Sequence, residues 1–264
     1  VVAVTVTFRR PQLLGPLIEA VATQTHRPDA YLVVDNGGDV EIPSSLSPWL
    51  EVLRPGANLG PAGGYALGFR EALARGADRV WVLDDDALPD PTCLEQQLAS
   101  TAEIVLPRQR RDVGTQEWLP WVGGLFDAEA VRRAGPPNEE YFIWAEDYEF
   151  VLRLRRGGGR VERLQKTTIT HVNPMKHRRG EPRTWRLYYD VRNSLHYRLR
   201  VKRPTARVRA RAALGVAKTA AAIVVLEPHK RRSLRLLRLA LSDFRAGRLG
   251  KRVDPETWER DFGG

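Results

Sequence analysis

The stretch Val80 to Pro91, VWVLDDDALPDP, sets the tightest limit on the fold. A run of β-forming residues ends abruptly in three carboxylates, Asp84, Asp85 and Asp86, and then in two prolines that cannot continue a strand. In an extended chain Asp84 and Asp86 point to one side and Asp85 to the other. Adjacent acids repel one another, more so when partly buried, and a divalent cation with oxygen ligands relieves that repulsion. An acidic turn closing a buried strand is the other reading, and the triplet alone leaves both open.

The preceding chain repeats one pattern. Val1 to Phe8 is an apolar, β-branched run closed by Arg9, Arg10 and Pro11, and Leu14, Leu17, Ile18 and Val21 then recur at helical spacing. Tyr31 to Val34 is a second short strand stopped by Asp35-Asn36-Gly37-Gly38, and Val52 to Arg54 a third. A glycine-rich loop with Gly56, Gly60, Gly63 and Gly64 follows and runs into a helix from about Gly64 to Arg75. Strands alternating with helices predict an α/β fold, a mostly parallel sheet covered on both faces, with ligands beyond the carboxyl ends of its strands. Asp35, the loop Asn58 to Gly64 and the acidic triplet all fall at such ends.

Downstream, the pattern predicts a helix from Pro91 to about Ala102, a strand Glu103 to Leu106 followed by a basic loop, and an apolar segment Trp118 to Phe126 broken at Gly123-Gly124. A short helix from Ala128 to Arg133 comes next. Tyr141 to Arg156 reads as a loop entering a helix, with acids at its start and arginines at its end as the helix dipole prefers. Val161 to Val172 reads as a strand, Asn173 to Arg183 as a polar loop and Trp185 to Arg200 as a helix. The remainder is arginine-rich helix interrupted by Pro204 and Pro228, so a body of residues 1–200 and a basic helical extension of 201–264 are expected.

Composition narrows the function. A single cysteine, Cys93, excludes an intrachain disulfide and a cysteine-based zinc cluster and fits a reducing compartment. Between Arg198 and Arg252 there are seventeen Lys and Arg against two acids, Glu227 and Asp243; this excess exceeds the net charge of +10 for the whole chain. No secretory leader is expected, because the sequence opens directly on strand-like VVAVTVTF, and the apolar window Ala212 to Leu226 is too short and too polar to span a membrane. A dinucleotide-binding fingerprint is missing after the first strand, where TFRRP stands, and the glycine-rich loop lacks the Lys-Ser/Thr ending of a P-loop.

The ordered set TFRR, VVDNGG, NLGPAGG, LDDDA, WVGGLF, FIWAEDYEF, a late His171 and YYDVRN resembles the family 2 glycosyltransferases of GT-A fold, a Rossmann-like, mostly parallel sheet flanked by helices. Within them it is most similar to bacterial rhamnosyl- and galactofuranosyltransferases, over about residues 1–200. The resemblance implies a nucleotide-sugar donor held by Thr7, Phe8, Arg9, Asp35, Asn58, Gly60, Gly63, Asp84, Asp85 and Arg192, with Arg9 standing where the family more often has Asn. Asp84 and Asp86 match its DXD motif and His171 its late metal-binding histidine, implying Mn²⁺ or Mg²⁺ against the donor diphosphate. Glu146-Asp147 match its acidic pair, which implies Asp147 as catalytic base and Glu146 as an orienting or acceptor-binding acid. Gly123, Gly124 and Trp144 would meet the acceptor sugar, with Trp121 and Phe126 as further apolar faces, and Asn193 accompanies Arg192 at the edge of the site, where the arginine would contact the donor phosphates or order the loop that closes over them.

These matches imply inverting transfer to a glycan or lipid-linked saccharide in bacterial envelope assembly, in the cytoplasm. UDP-galactofuranose and dTDP-rhamnose are the favoured donors. The cationic, leucine-rich segment around Arg231, Arg232 and Arg235 reads as attachment to an anionic membrane surface, as a packed helix with a solvated basic face, or as a nucleic-acid contact, the last without any accompanying motif. A nucleotide-sugar-binding protein without catalysis and a basic nucleic-acid-binding protein are the competing functions.

Overall fold

The computed structural model describes residues 1–41, 48–111, 114–115, 121–172, 184–202 and 204–262. The chain forms two compact units, Val1–Glu139 with Asp147–Pro174, and Glu140–Glu146 with Met175–Gly264.

The first unit is built on one sheet. Strand β1 (Val2–Thr7) is followed by α1 (Pro11–Ala22), β2 (Ala30–Asp35), β3 (Leu50–Leu53), α2 (Gly60–Ala74) and β4 (Arg79–Asp84). Then come β5 (Ala87–Pro89), α3 (Cys93–Leu98), β6 (Ile104–Arg111), β7 (Gly114–Thr115), β8 (Leu125–Asp127), α4 (Ala128–Ala134), α5 (Glu146–Arg156) and β9 (Val161–His171). The strand order is β3-β2-β1-β4-β8-β6-β9-β5, with β7 paired to β6. The four early strands are parallel, and β8 turns the sheet antiparallel against both β4 and β6. This is the expected α/β architecture: β1, β2 and β4 are apolar along their length because both of their faces are covered.

Register places the functional ends together. Thr7 lies opposite Asp35, and Val6 opposite Asp84, so the carboxyl ends of β1, β2 and β4 share one edge of the sheet. Helix α2 lies on β1 through a face without side chains. A Cβ on Gly64 would come within 2.6 Å of Val6 Cγ1, and one on Gly68 would run into Val4. The helix thus starts at Gly60, earlier than the sequence suggests, and part of the glycine-rich run is a packing surface rather than a loop.

Two boundaries differ from expectation. Helix α3 stops at Leu98 instead of near Ala102, and the Ser100 hydroxyl accepts the Ala102 N–H beyond its end. The basic loop expected after Leu106 is the second half of β6, which continues alongside β9 as far as Arg111 opposite His171 after a register shift at Pro107. The loop expected over 173–183, and Trp118 to Pro120 of the apolar segment, lie outside the described residues.

The second unit is helical. It comprises α6 (Arg186–His196), a π-helical turn over Tyr197–Val201, α7 (Ala206–Leu226), α8 (Lys230–Ala246) and α9 (Pro255–Phe262). Its core joins Tyr188, Tyr189, Leu195, Leu236, Leu237, Ala240 and Trp258 to Phe142 and Ile143 of the 140–146 segment. Buried polar bonds fix α6 within it: the Tyr188 hydroxyl donates to Asp243 Oδ2 at 2.6 Å and the Tyr189 hydroxyl to the Val253 carbonyl at 2.8 Å. The compact units therefore divide the chain after Pro174 rather than at residue 200, because the YYDVRN helix shares a core with the helices that follow it.

Candidate active site

Strand β4 ends at Asp84, and the chain turns through Asp85 and Asp86 into β5, which pairs antiparallel with the end of β9. That pairing sets Ala87 opposite His171, and the Val172 N–H donates to the Asp86 carbonyl at 3.0 Å. Residues 85 positions apart thereby meet: His171 Nδ1 lies 3.5 Å from Asp86 Oδ1, and ligand atoms of Asp84, Asp86 and His171 all lie within 4.8 Å of one another.

The triplet divides its labour as strand alternation predicts. Asp85 turns to the other side, where its Oδ2 accepts the Thr7 hydroxyl at 2.8 Å and its Oδ1 pairs with Arg10 Nη2 at 2.5 Å. Burial pushes its carboxyl up to about 6, against the opposing pull of Arg10 and Thr7. Arg10 also reaches within 3.9 Å of Asp86. Asp85 and Thr7, expected to touch the donor, are thus bonded to each other, and Arg10 is a member of the cluster that sequence reasoning passed over in favour of Arg9. Arg9 has a left-handed φ of 53° and lies over the Phe8 ring at 4.9 Å.

The cluster suits a divalent cation on the chemistry of its donors. The Asp84 carboxyl is raised by burial and by Asp86, with His171, Tyr65 and Arg10 acting the other way. His171 is buried, and its Nε2 has no hydrogen-bond partner. Two carboxylates and an imidazole with an unpartnered buried nitrogen form an oxygen-nitrogen ligand set appropriate to Mn²⁺. Tyr65, unremarked in the sequence, donates to Asp84 Oδ1 at 2.8 Å and lies 3.0 Å from the Leu83 carbonyl.

Asp147 stands in the first turn of α5, where its Oδ1 accepts the Tyr148 N–H at 2.7 Å. Some of its surface stays accessible, yet burial of the carboxyl pushes it up to about 7, with the Tyr148 N–H pulling down and Asp84 pushing up. Burial and the nearby Asp84 charge thus act on it in the same direction.

At the end of β2, Asp35 accepts the N–H groups of Gly37, Gly38 and Val40 at 2.8–2.9 Å and so shapes its own loop. The neighbouring Asn36, quoted in the sequence motif but given no role, donates to the Gly60 carbonyl at 3.1 Å and accepts the Leu59 N–H at 3.2 Å. Asn58 Oδ1 accepts the Gly60 N–H at 2.8 Å, and Gly60 takes a left-handed φ of 68°. The two loops are therefore one linked rim. At Gly63 a Cβ would meet its own helix start at Leu59, so that glycine answers to local packing.

Three expectations are corrected. Gly123 and Gly124 are required by internal packing, since a Cβ on Gly123 would run into Ile169 and one on Gly124 would lie 2.7 Å from the Trp121 carbonyl. Trp121 and Phe126 are buried in the aromatic core, Trp121 edge-on to Tyr65 at 4.8 Å, and offer no face to a sugar. Arg192 is wholly buried, and its guanidinium donates to Asn193 Oδ1, the Tyr188 hydroxyl, and the Gly250 and Tyr141 carbonyls. It is occupied with protein acceptors rather than a donor phosphate.

Within the second unit, Arg192 and Asn193 instead hold the segment that leads into Glu146. Asn193 Nδ2 meets the carbonyls of Tyr141, Ile143 and Trp144 at 2.9, 2.6 and 3.1 Å. Phe142, Trp144 and Ala145 all take left-handed φ, between 64° and 72°. Side chains disfavour that region by about 1–3 kcal/mol per residue, so such backbone persists only where surroundings hold it. Glu146 is buried and Trp144 half-buried against the aromatic cluster.

Residues 2–124 match the Glycosyl transferase family 2. The chain is 32% identical to the galactofuranosyltransferase GlfT1 of Mycolicibacterium smegmatis, with 60% of this chain and 66% of the relative covered, and 34% identical to that of Mycobacterium tuberculosis, with 60% and 65% covered. It spans just under two thirds of the length of these relatives. Among solved structures, Staphylococcus aureus TarS 1–349 superimposes with a TM-score of 0.62 at 15% identity over 92% of this chain and 79% of that one. The mannosyltransferase PcManGT of Pyrobaculum calidifontis, in complex with GDP-Man and Mn²⁺, does so with a TM-score of 0.57 at 14% identity over 99% and 78%. The strand order, the acidic strand end and these likenesses agree: residues 2–124 are similar to the Glycosyl transferase family 2, and the chain has the GT-A fold of its solved neighbours.

Proposed function

We propose that the chain is a metal-dependent, inverting glycosyltransferase that moves galactofuranose from its UDP-linked donor to a glycan or lipid-linked saccharide of the bacterial envelope, at the cytoplasmic face of the membrane. The observation that carries this reading is the Asp84, Asp86 and His171 cluster with Asp147 raised toward neutrality beside it. The similarity to galactofuranosyltransferases at about a third identity favours that donor over dTDP-rhamnose.

Asp84, Asp86 and His171 would hold Mn²⁺ or Mg²⁺, which when bound supplies charge neutralisation at the donor diphosphate. The chain's own groups do the rest. Asp147 takes the proton of the acceptor hydroxyl as the oxygen bonds to the anomeric carbon. The bond from that carbon to the diphosphate oxygen breaks, the electron pair leaves with the diphosphate, and attack from the opposite side inverts the centre through an oxocarbenium-like state. The rim built by Asp35, Asn36, Asn58 and Gly60 lies at the strand ends where a nucleoside would lodge, with Phe8 and Arg9 beside it. Glu146 and Trp144, adjoining the base in sequence, are assigned to the acceptor.

A thermal-shift panel of nucleotide sugars with Mn²⁺, followed by mass-spectrometric detection of transfer, tests this reading, because a ligand that binds only the folded state stabilises it. UDP-galactofuranose is expected to stabilise most and to be consumed. Stabilisation by dTDP-rhamnose alone would move the donor assignment, and no response to any nucleotide sugar would contradict the function.

A further inference from the structure

We propose that the α7–α8 hairpin is a docking surface for an anionic lipid bilayer, with an apolar tip that enters the interface and a cationic flank that rests on the headgroups. The proposal deepens the envelope-acceptor reading by naming the surface and its lipid class.

Helix α7 runs for 21 residues, yet only Ala212 and Ile223 along it are buried. Helices in proteins draw most of their stability from a packed apolar face. Here that face is left open: Val224, Val225 and Leu226 are 51%, 73% and 51% exposed, and Leu214, further back along the helix, 54%. Of the six large apolar residues exposed among the described residues, five lie on α7 and α8. The three at the tip are followed, after Glu227 and Pro228, by His229, Lys230 and Arg231, all exposed.

Charge selects the occupant. From Ala206 to Ala246 the only acids are Glu227 and Asp243, and both are buried and engaged, Glu227 by the Ser233 hydroxyl at 2.7 Å and Asp243 by Tyr188 and Arg248. Arg207, Arg211, Lys218, Lys230, Arg231, Arg235 and Arg238 are exposed. Arg207, Arg211, Leu214, Lys218, Ala221 and Val225 recur at helical spacing, a stripe cationic at one end and apolar at the other. A second copy of the chain would set this surface against itself across a twofold axis, with cations facing cations and no exposed acid on these helices to answer them. An anionic bilayer answers both halves of the surface, apolar and cationic. No described helix is long and apolar enough to cross a membrane, so the contact is peripheral.

Flotation of the full chain with phosphatidylcholine vesicles, with and without about a third phosphatidylglycerol, tests this; Val224→Asp/Val225→Asp and Arg231→Glu/Arg235→Glu are compared with wild type. All four side chains are exposed, so melting temperatures should stay unchanged. Wild type should partition at least roughly tenfold better onto the anionic vesicles, since each cation near such a surface contributes about fivefold. Each double variant should lose about tenfold or more. Equal partition onto both vesicle types, equal partition of wild type and variants, or a wild-type dimer in light scattering that Val224→Asp/Val225→Asp dissociates would overturn the proposal. Mn²⁺-dependent UDP binding, measured on the same samples, separates the two readings: if it persists while flotation fails, the docking surface falls and the proposed function stands.

Discussion

The Tyr65 hydroxyl donates to Asp84 Oδ1 at 2.8 Å, which ties the second turn of α2 to the carboxylate that ends β4. The ring is wholly buried and packs edge-on to Trp121, so it cannot swing away. Groups that orient a metal ligand in this way typically contribute 10–100-fold to metal affinity. Tyr65→Phe keeps the ring and removes the hydroxyl. It is expected to weaken Mn²⁺ binding by about 10-fold or more in calorimetry while costing only about 1 kcal/mol of stability. Unaltered Mn²⁺ affinity would show that the bond is structural alone.

The contact of α2 with β1 predicts a larger effect on folding. Gly68→Ala would force a methyl into Val4, and overpacking of this kind costs about 1–3 kcal/mol. Gly76→Ala provides the contrast: it has open space around it but a left-handed φ of 74°, so any loss there comes from backbone strain. Denaturant midpoints of both variants, with Val4→Ala added to the Gly68 variant, check the argument; the second substitution should restore part of the loss at residue 68.

Asn193 predicts a local failure. Removing its amide leaves the carbonyls of Tyr141, Ile143 and Trp144 without their shared donor beside three left-handed residues. Asn193→Ala is expected to cost about 1–3 kcal/mol, and hydrogen exchange should rise over residues 140–146 before it rises elsewhere in the second unit. Protection that stays as in wild type would contradict the assigned role.

Acid should loosen the second unit through Asp243. Burial alone would raise this carboxyl, but the Tyr188 hydroxyl, the Arg248 hydrogen bond and the charges of Arg248 and Arg252 outweigh it and hold it below its usual 3.8. A carboxyl lowered in the folded state binds its proton more readily when unfolded. Its contribution is therefore complete above the unfolded value and is lost as pH falls through the lower folded one. Melting curves from pH 6 down to pH 2.5 should show wild type losing stability at the acid end, and Asp243→Asn, less stable at pH 6, losing less over the same range.

The sequence was most legible where a local period carries the information. The separation of Asp85 from Asp84 and Asp86 follows the alternation read from the sequence, although Asp85 and Asp86 lie in the turn after β4, and apolar runs stopped by polar loops locate β1, β2 and β4. What joins distant segments was not visible. The meeting of His171 with Asp86 depends on β5 pairing with β9, and only resemblance brought that histidine into view. Resemblance placed Arg192 at the edge of the site, on the donor phosphates or ordering a loop, whereas its acceptors are the Tyr188 hydroxyl one turn away and carbonyls some fifty residues off in each direction. Asn36 lay inside a quoted motif and Tyr65 directly after one, but their partners come from other elements. Gly64 and Gly68 did carry a signal, because small residues four apart in a helix mark a close-packed face.

Isothermal calorimetry of UDP, with and without Mn²⁺, on wild type, Asp86→Ala and Asp147→Asn tests the central claim most directly. The account predicts that Mn²⁺ strengthens UDP binding to wild type, that Asp86→Ala abolishes this enhancement, and that Asp147→Asn retains it while losing sugar transfer. UDP binding indifferent to Mn²⁺, or transfer undiminished in Asp147→Asn, would contradict it.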